Sequence, residues 1–282
     1  MRLRGTTSLT SGNDPLIIVD GVFGDLSMLT SIYPTDIESF TILKDASETA
    51  QYGSRGASGV IEVTTKKGMQ GRTQVAYNGS FGISTVYKNL KMLSGDEFRS
   101  VASERGISIL DKGNNTNFQK EIQQTGLQQN HHVAFYGGSS TSSYRVSLGF
   151  MDRQGVILNE DMKNFTSNMN MNQKMFDGFF DCELGMFGSI LKNHNLVDYQ
   201  KTFYSAATFN PTYPNHKDPV TNSWDGITTA SQITNPLAWM QVDDDDATSH
   251  ISTHARFTFN LMKELKLVLF GAYTCLLYTS DA

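Results

Sequence analysis

Cysteine, long apolar runs and net charge are all scarce in this sequence, and each scarcity excludes something. Only Cys182 and Cys275 occur among 282 residues, too few for a disulfide framework and spaced like no metal motif. No run of 18 or more apolar residues is present, which excludes a transmembrane helix. A membrane barrel remains open, because its strands need only about 9–11 residues of alternating character. Charged residues make up 18%, and 23 Lys+Arg against 28 Asp+Glu leave a net charge of -5. That mixture excludes broad electrostatic capture of nucleic acid. Catalytic signatures are missing too: there is no Gly-x-Ser-x-Gly elbow, Walker loop, HExxH helix or convincing carboxylate pair. No catalytic residue, metal or cofactor is expected. The start, Met1-Arg2-Leu3-Arg4-Gly5, lacks the apolar stretch of a secretory signal, so an exported protein beginning here is expected to be a fragment.

What is abundant points to β structure. The 24 Gly, 11 Tyr and 17 Phe, with many Ser, Thr and Asn, suit strands that have one apolar face and one uncharged polar face. Leu16-Ile17-Ile18-Val19 reads as a strand ending in an Asp20-Gly21 turn. After Pro34, Asp36 and Glu38 fit a single helical turn, and 39–44 fit a second strand. Asp45 and Glu48 have capping-box spacing before a short helix over 46–52. Gly53, Gly56 and Gly59 interrupt it, and a third strand over 60–65 is closed by Lys66-Lys67-Gly68. Such a unit is too small for an ample core and is expected to lean on something else.

These segments carry a resemblance. Leu3-Arg4-Gly5-Thr6, Pro15-Leu16-Ile17-Ile18-Val19-Asp20-Gly21-Val22, Asp36-Ile37-Glu38-Ser39, Leu43-Lys44-Asp45-Ala46-Ser47, Tyr52-Gly53-Ser54-Arg55-Gly56-Ala57 and the run from Gly59 to Gly68 resemble the plug domain of SusC/RagA-type TonB-linked transporters. The resemblance implies an outer membrane location and a plug, with Asp20, Gly21, Asp36, Glu38, Lys44, Asp45, Tyr52, Gly53, Arg55 and Gly59 as its motif residues. It further implies a 22-stranded barrel, the TonB energy-transducing complex in the periplasm, a SusD-like substrate-binding lipoprotein outside, and import of an oligosaccharide or peptide nutrient. Locally, Asp45 and Glu48 read as a helix cap and Lys66 and Lys67 as a solvated strand end. Arg55 reads either as a plug-to-wall ion partner or as a local hydrogen-bond donor.

From Gly71 onward the pattern is strand after strand. Val75, Tyr77, Phe81 and Ile83 oppose Gln74, Asn78 and Ser80, and the same period of 2 returns around Val133, Val146, Met169, Leu184, Phe257 and Leu267. About seven strands are visible. Short gaps at 139–142, 172–176 and 262–264 alternate with long ones at 84–130, 152–161 and 191–250. Membrane barrels have short periplasmic turns and long external loops, whereas a soluble sandwich has no reason to enlarge every second connection. The fold class expected is therefore a partial transmembrane β-barrel of about seven antiparallel strands, preceded by part of a small α/β plug. Residues 1–70 are assigned to the plug and 71–275 to the barrel. The weaker, atypical 276–282 is set apart as a tail and an artefact candidate.

Within the long gaps, Ser94 and Glu97 form a second capping box, starting a helix over 95–104, and another helix is expected over 118–124. Tyr199, Tyr204, Tyr213, Trp224 and Trp239 lie among amides and carboxylates. They fit either stacking on a nutrient or partner, or packing within the loops. Asp243-Asp244-Asp245-Asp246 lacks EF-hand spacing and reads as a solvated acidic tip. His131 and His132 face opposite ways on a strand and are poor joint metal ligands. A β-rich surface module that binds glycans or mediates adhesion is the alternative to transport, and it predicts a soluble monomer.

Overall fold

The computed structural model describes residues 14–196, 198–226, 235–242 and 244–281. The Leu3-Arg4-Gly5-Thr6 segment and Asp243 lie outside these residues.

A four-stranded sheet of order β2-β1-β4-β3 comes first. It comprises β1 (Leu16–Val19), β2 (Val22–Gly24), β3 (Ile37–Leu43) and β4 (Val60–Thr65), with β1 and β4 parallel and the other pairs antiparallel. Asp20 (φ 49°) and Gly21 (φ 90°) make the two-residue turn from β1 to β2, in the left-handed conformations that suit a tight hairpin. Helix α1 (Leu26–Thr30) begins at Asp25, whose carboxylate accepts from the Ser27 and Met28 amides. β2 and α1 were not anticipated, because three residues of strand and five of helix are too short to show periodicity.

Two local expectations are corrected. Glu38 is not in the helical turn, which closes at Asp36 when the Asp36 amide donates to the Tyr33 carbonyl at 2.9 Å. Glu38 belongs to β3 and is the extra residue between the Ile37–Thr65 and Ser39–Thr64 pairs. The helix over 46–52 also divides, into α2 (Ala46–Thr49) and a 3-10 stretch (Ala50–Gly56) kinked at Gly53.

The second sheet has seven antiparallel strands in sequence order. They are β5 (Gly71–Ser84), β6 (Gly126–Gly138), β7 (Ser142–Gln154), β8 (Asp161–Met175), β9 (Phe180–His194), β10 (Asp245–Met262) and β11 (Leu265–Asp281). The sheet is not closed, and β5 and β11 are its edges. Connections 139–141, 176–179 and 263–264 lie at the end where the first sheet attaches, and 85–125, 155–160 and 195–244 at the other. Residues 276–281, set apart by pattern, continue β11, which stays paired with β10 out to Asp245–Asp281.

The two faces of this wall differ as alternation requires. Val75, Tyr77, Phe81, Ile83, Phe165, Leu184 and Ile190 point outward and are exposed. His132, Arg145, Ser147, Thr166, Asn168, Asn170, Ser189, His250 and His254 point inward and are buried, largely against the first sheet. That domain's core of Ile17, Val19, Val22, Met28, Ile32, Ile61 and Val63 is completed by Phe187, an inward residue of β9. The small α/β unit thus leans on the wall for part of its own core.

Candidate functional site: the seam between plug and wall

The seam centres on Asp36, which is 3% exposed. Its Oδ1 accepts from Arg145 Nη2 at 2.9 Å, and its Oδ2 accepts from the Ser147 hydroxyl at 2.7 Å. His132 Nε2 lies 3.1 Å from Oδ2, within ion-pair range but outside hydrogen-bond geometry. The His132 ring stacks on Tyr33, with centroids 4.6 Å apart. Strand alternation delivers His132, Arg145 and Ser147 to one face, and the turn after Pro34 aims Asp36 at them. Gly149 leaves room for Tyr33, since a Cβ there would stand 2.6 Å from its ring. A buried carboxylate that is both paired and hydrogen-bonded fixes position well, while adding little net stability over apolar packing.

A second cluster surrounds Asp20. Its carboxylate accepts from the Thr65 amide at 3.0 Å and from the Thr65 hydroxyl at 2.6 Å. Asn170 Nδ2, from β8, donates to Thr65 Oγ1 at 3.1 Å and to Asn168 Oδ1 at 3.0 Å. A Cβ on Gly21 would meet Arg256 Nη2 of the wall at 3.1 Å. Lys67 is not simply a solvated strand end, because it pairs with Glu183 of β9, which also has Arg256 at 3.5 Å.

Of the other motif residues, Glu38 alone lies beside these contacts. Glu38 is exposed and lines a cleft of about 480 Å³ beside Lys66, His132 and Arg145. Lys44 and Asp45 are exposed, and the Asp45 carbonyl accepts from the Glu48 and Thr49 amides. Tyr52 packs edge-on against Phe23, and burial followed by the nearby Glu62 carboxylate pushes its phenol up. Gly53 and Gly59 take positive φ values of 58° and 95°. Arg55 is exposed and makes no ion pair among the described residues; plug-to-wall pairing falls to Asp36 and Lys67 instead. Arg145, Ser147, Asn170 and Glu183 read from sequence only as the polar side of strands, and His132 only as a poor metal ligand.

The long connections build a separate small core. Phe118, Ile122, Ile157, Leu196, Ala206, Phe209, Leu237 and Met240 pack together from all three excursions. They include residues of α4 (Phe118–Glu121), α5 (Tyr199–Thr208) and α6 (Pro236–Trp239). α3 (Gly95–Glu104) carries the expected capping box at Ser94 and Glu97. Of the singled-out aromatics, Tyr213 and Trp224 pack against this core, and Lys201 lies 5.1 Å over the Trp239 ring. Tyr199 donates to Glu160 at 2.9 Å, and burial, then that bond, pushes its phenol up to about 12. Tyr204 is exposed. Asp245 is in contact with His194, and Asp246 accepts from Asn193 and Asn195, so both carboxylates are engaged at the start of β10.

An α/β domain seated on the polar face of long antiparallel strands, whose opposite face is apolar, defines the class: a TonB-dependent receptor. Residues 1–60 match the TonB-dependent Receptor Plug Domain. The chain is 33% identical to the TonB-dependent receptor SusC of Bacteroides thetaiotaomicron over 95% of its own length and 30% of that protein's. It is 40% identical to the TonB-dependent receptor P3 of Formosa agariphila, over 61% of this chain and 17% of that one. The fold matches the RagAB peptide transporter with a TM-score of 0.78 at 21% identity, covering 98% of this chain and 36% of the other. The chain belongs to the SusC/RagA family and spans less than a third of the length of SusC.

Proposed function

We propose that this chain is the plug and first wall strands of a receptor that imports a nutrient across the outer membrane, energised by TonB from the periplasm. Residues 1–70 serve as plug and 71–275 as wall. The observation that carries this reading is the seam: one domain seated on the polar face of an open strand wall, whose other face is apolar, largely through polar contacts that water can replace, as a movable stopper requires. Similarity to the TonB-dependent receptor SusC and to the RagAB peptide transporter supports the same reading.

The nutrient is an oligosaccharide or peptide, captured by a SusD-like lipoprotein on the external side. In this reading Tyr199, Tyr204, Tyr213, Trp224 and Trp239 belong to the external loops that meet nutrient or lipoprotein, with Tyr204 more exposed than Tyr199. The test is uptake of labelled glycans and peptides by cells carrying the whole receptor and its neighbouring lipoprotein, with and without TonB. Uptake should require TonB. Uptake unchanged by its loss refutes the energised mechanism, and no uptake of either class refutes the nutrient assignment.

A further inference from the structure

The lipid-facing side of the wall carries a feature that import does not use. Alternation turns Lys163 of β8 and Lys192 of β9 outward, and the register sets them directly opposite one another. Like charges so placed repel across about 5 Å. Neither ammonium has an ion-pair partner among the described residues. Asp152, opposite Lys163 on β7, accepts instead from Gln129 Nε2 at 3.2 Å.

Two further levels align with this pair. One step toward the plug end, Phe165 faces Ile190, and beyond them Ser167 faces Gly188. With Ser249, Ile251 and Leu277 these residues line an outward, mainly apolar furrow of about 390 Å³. Its floor is low because Ser167, Gly188 and Ser249 are small. On the other side of the lysines, Gln154, Asp161, His194, Asp245 and Thr279 border a polar cleft of about 590 Å³ that also includes both lysines. From Phe165 to Met175, ten steps of about 3.4 Å at a tilt of about 40° give about 26 Å of height, the thickness of a barrel's apolar band. The lysines therefore stand at the band's external edge.

We propose that furrow, lysine pair and cleft form one site for a phosphorylated glycolipid of the outer leaflet, with an acyl chain in the furrow, a phosphate between Lys163 and Lys192, and a sugar in the cleft. Two unpaired cations fit a multiply charged anion, the furrow beside them fits hydrocarbon, and the carboxylates above fit hydroxyl donors. A free phosphate would satisfy only the middle level. The site rests on the wall spanning a membrane, as proposed above.

The test uses the whole receptor, delipidated in detergent, titrated in native mass spectrometry with bis-phosphorylated lipid A, its dephosphorylated form and inorganic phosphate. The Lys163→Ala/Lys192→Ala receptor should bind the phosphorylated lipid about thirtyfold more weakly and the dephosphorylated one unchanged. Gly188→Leu should weaken both lipids by filling the furrow. A Cβ there has room, its nearest neighbour being the His250 carbonyl oxygen at 3.4 Å. Equal affinity of the wild type and the lysine variant for the phosphorylated lipid overturns the site. Inorganic phosphate binding as tightly as the lipid overturns the lipid and leaves a free-anion site. Membrane fractionation separates the two readings: variants that reach the outer membrane with unchanged lipid affinity reject the lipid site alone, and a wild type absent from that membrane rejects the barrel.

Discussion

Replacing Asp36 with alanine tests the seam at its buried ion pair. The substitution removes the acceptor of both Arg145 and Ser147, and leaves the Arg145 side chain, 9% exposed, without a carboxylate. Breaking a buried pair by removing one partner costs about 3–5 kcal/mol. The backbone bond from the Lys66 amide to the Asp36 carbonyl, at 2.8 Å, survives the change. The opening equilibrium of the neighbouring strands should therefore rise by about two to three and a half orders of magnitude. Hydrogen exchange of the intact receptor reads this directly at residues 37–43 and 60–65, with residues 161–175 of the wall as internal reference. The double substitution Asp36→Leu/Arg145→Met should recover most of the protection, because an apolar replacement of a buried pair is often neutral or stabilising. Exchange in Asp36→Ala less than about tenfold faster than wild type, or a double variant no better than the sum of the singles, would refute the claim that this pair holds the seam.

Three further outcomes follow from the same geometry. Gly149→Val should drive a side chain into Tyr33 and Thr166, costing about 1–3 kcal/mol and loosening residues 33–36; unchanged exchange there would count against the close fit. Glu97 accepts from the Ser94 amide and hydroxyl, which hold its carboxyl below its ordinary 4.5, the backbone bond being the larger cause. Its folded value is thus the lower one, so the stabilisation of α3 is present above pH 4.5 and is lost as pH falls through the folded value. Protection factors at 95–104, taken relative to the intrinsic pH-dependent exchange rate, should fall on acidification, and Glu97→Gln should flatten that dependence. For Tyr199 the sign reverses. Its folded value of about 12 exceeds the ordinary 10.0, so its contribution is complete below pH 10 and is lost toward 12. An ultraviolet titration should show a component near pH 12 that is lost in Tyr199→Phe.

The wall was legible because a lipid-facing strand must alternate, and Val75, Tyr77, Phe81 and Ile83 do so with only Gly79 between them on that face. Connection lengths were legible for the same reason, since short and long gaps separate clear runs. Strand ends were less so. A loop was expected over 152–161, yet β7 runs to Gln154 and β8 starts at Asp161, because pairing beyond the lipid band needs no apolar face. The seam was half legible. Asp36 and Asp20 stood out through family resemblance, but Arg145 lies 109 positions from Asp36, and no local pattern joins them. Phe187 did leave a signal: an apolar ring at an inward position between Gly185 and Ser189, on a face that is otherwise small or polar from Asp181 to Ser189.

That ring and Asp36 divide the work of separating plug from wall. Exposing Phe187 forfeits burial worth about 1.5–3 kcal/mol. The partly exposed Lys67–Glu183 pair can exchange its protein partner for water at about 0–1 kcal/mol. Asp36 and Phe187 therefore act as the two anchors, and they lie on different parts of the plug. Asp36 leads β3, an edge of its sheet, whereas Phe187 packs with Ile17 and Val19 of β1 and Ile61 and Val63 of β4. Because β3 is bonded to only one neighbour, it can peel away with the first anchor while the second holds. In the Asp36→Ala receptor, β3 should thus lose protection well before β1. Simultaneous loss in both strands would mean that the two anchors yield as one.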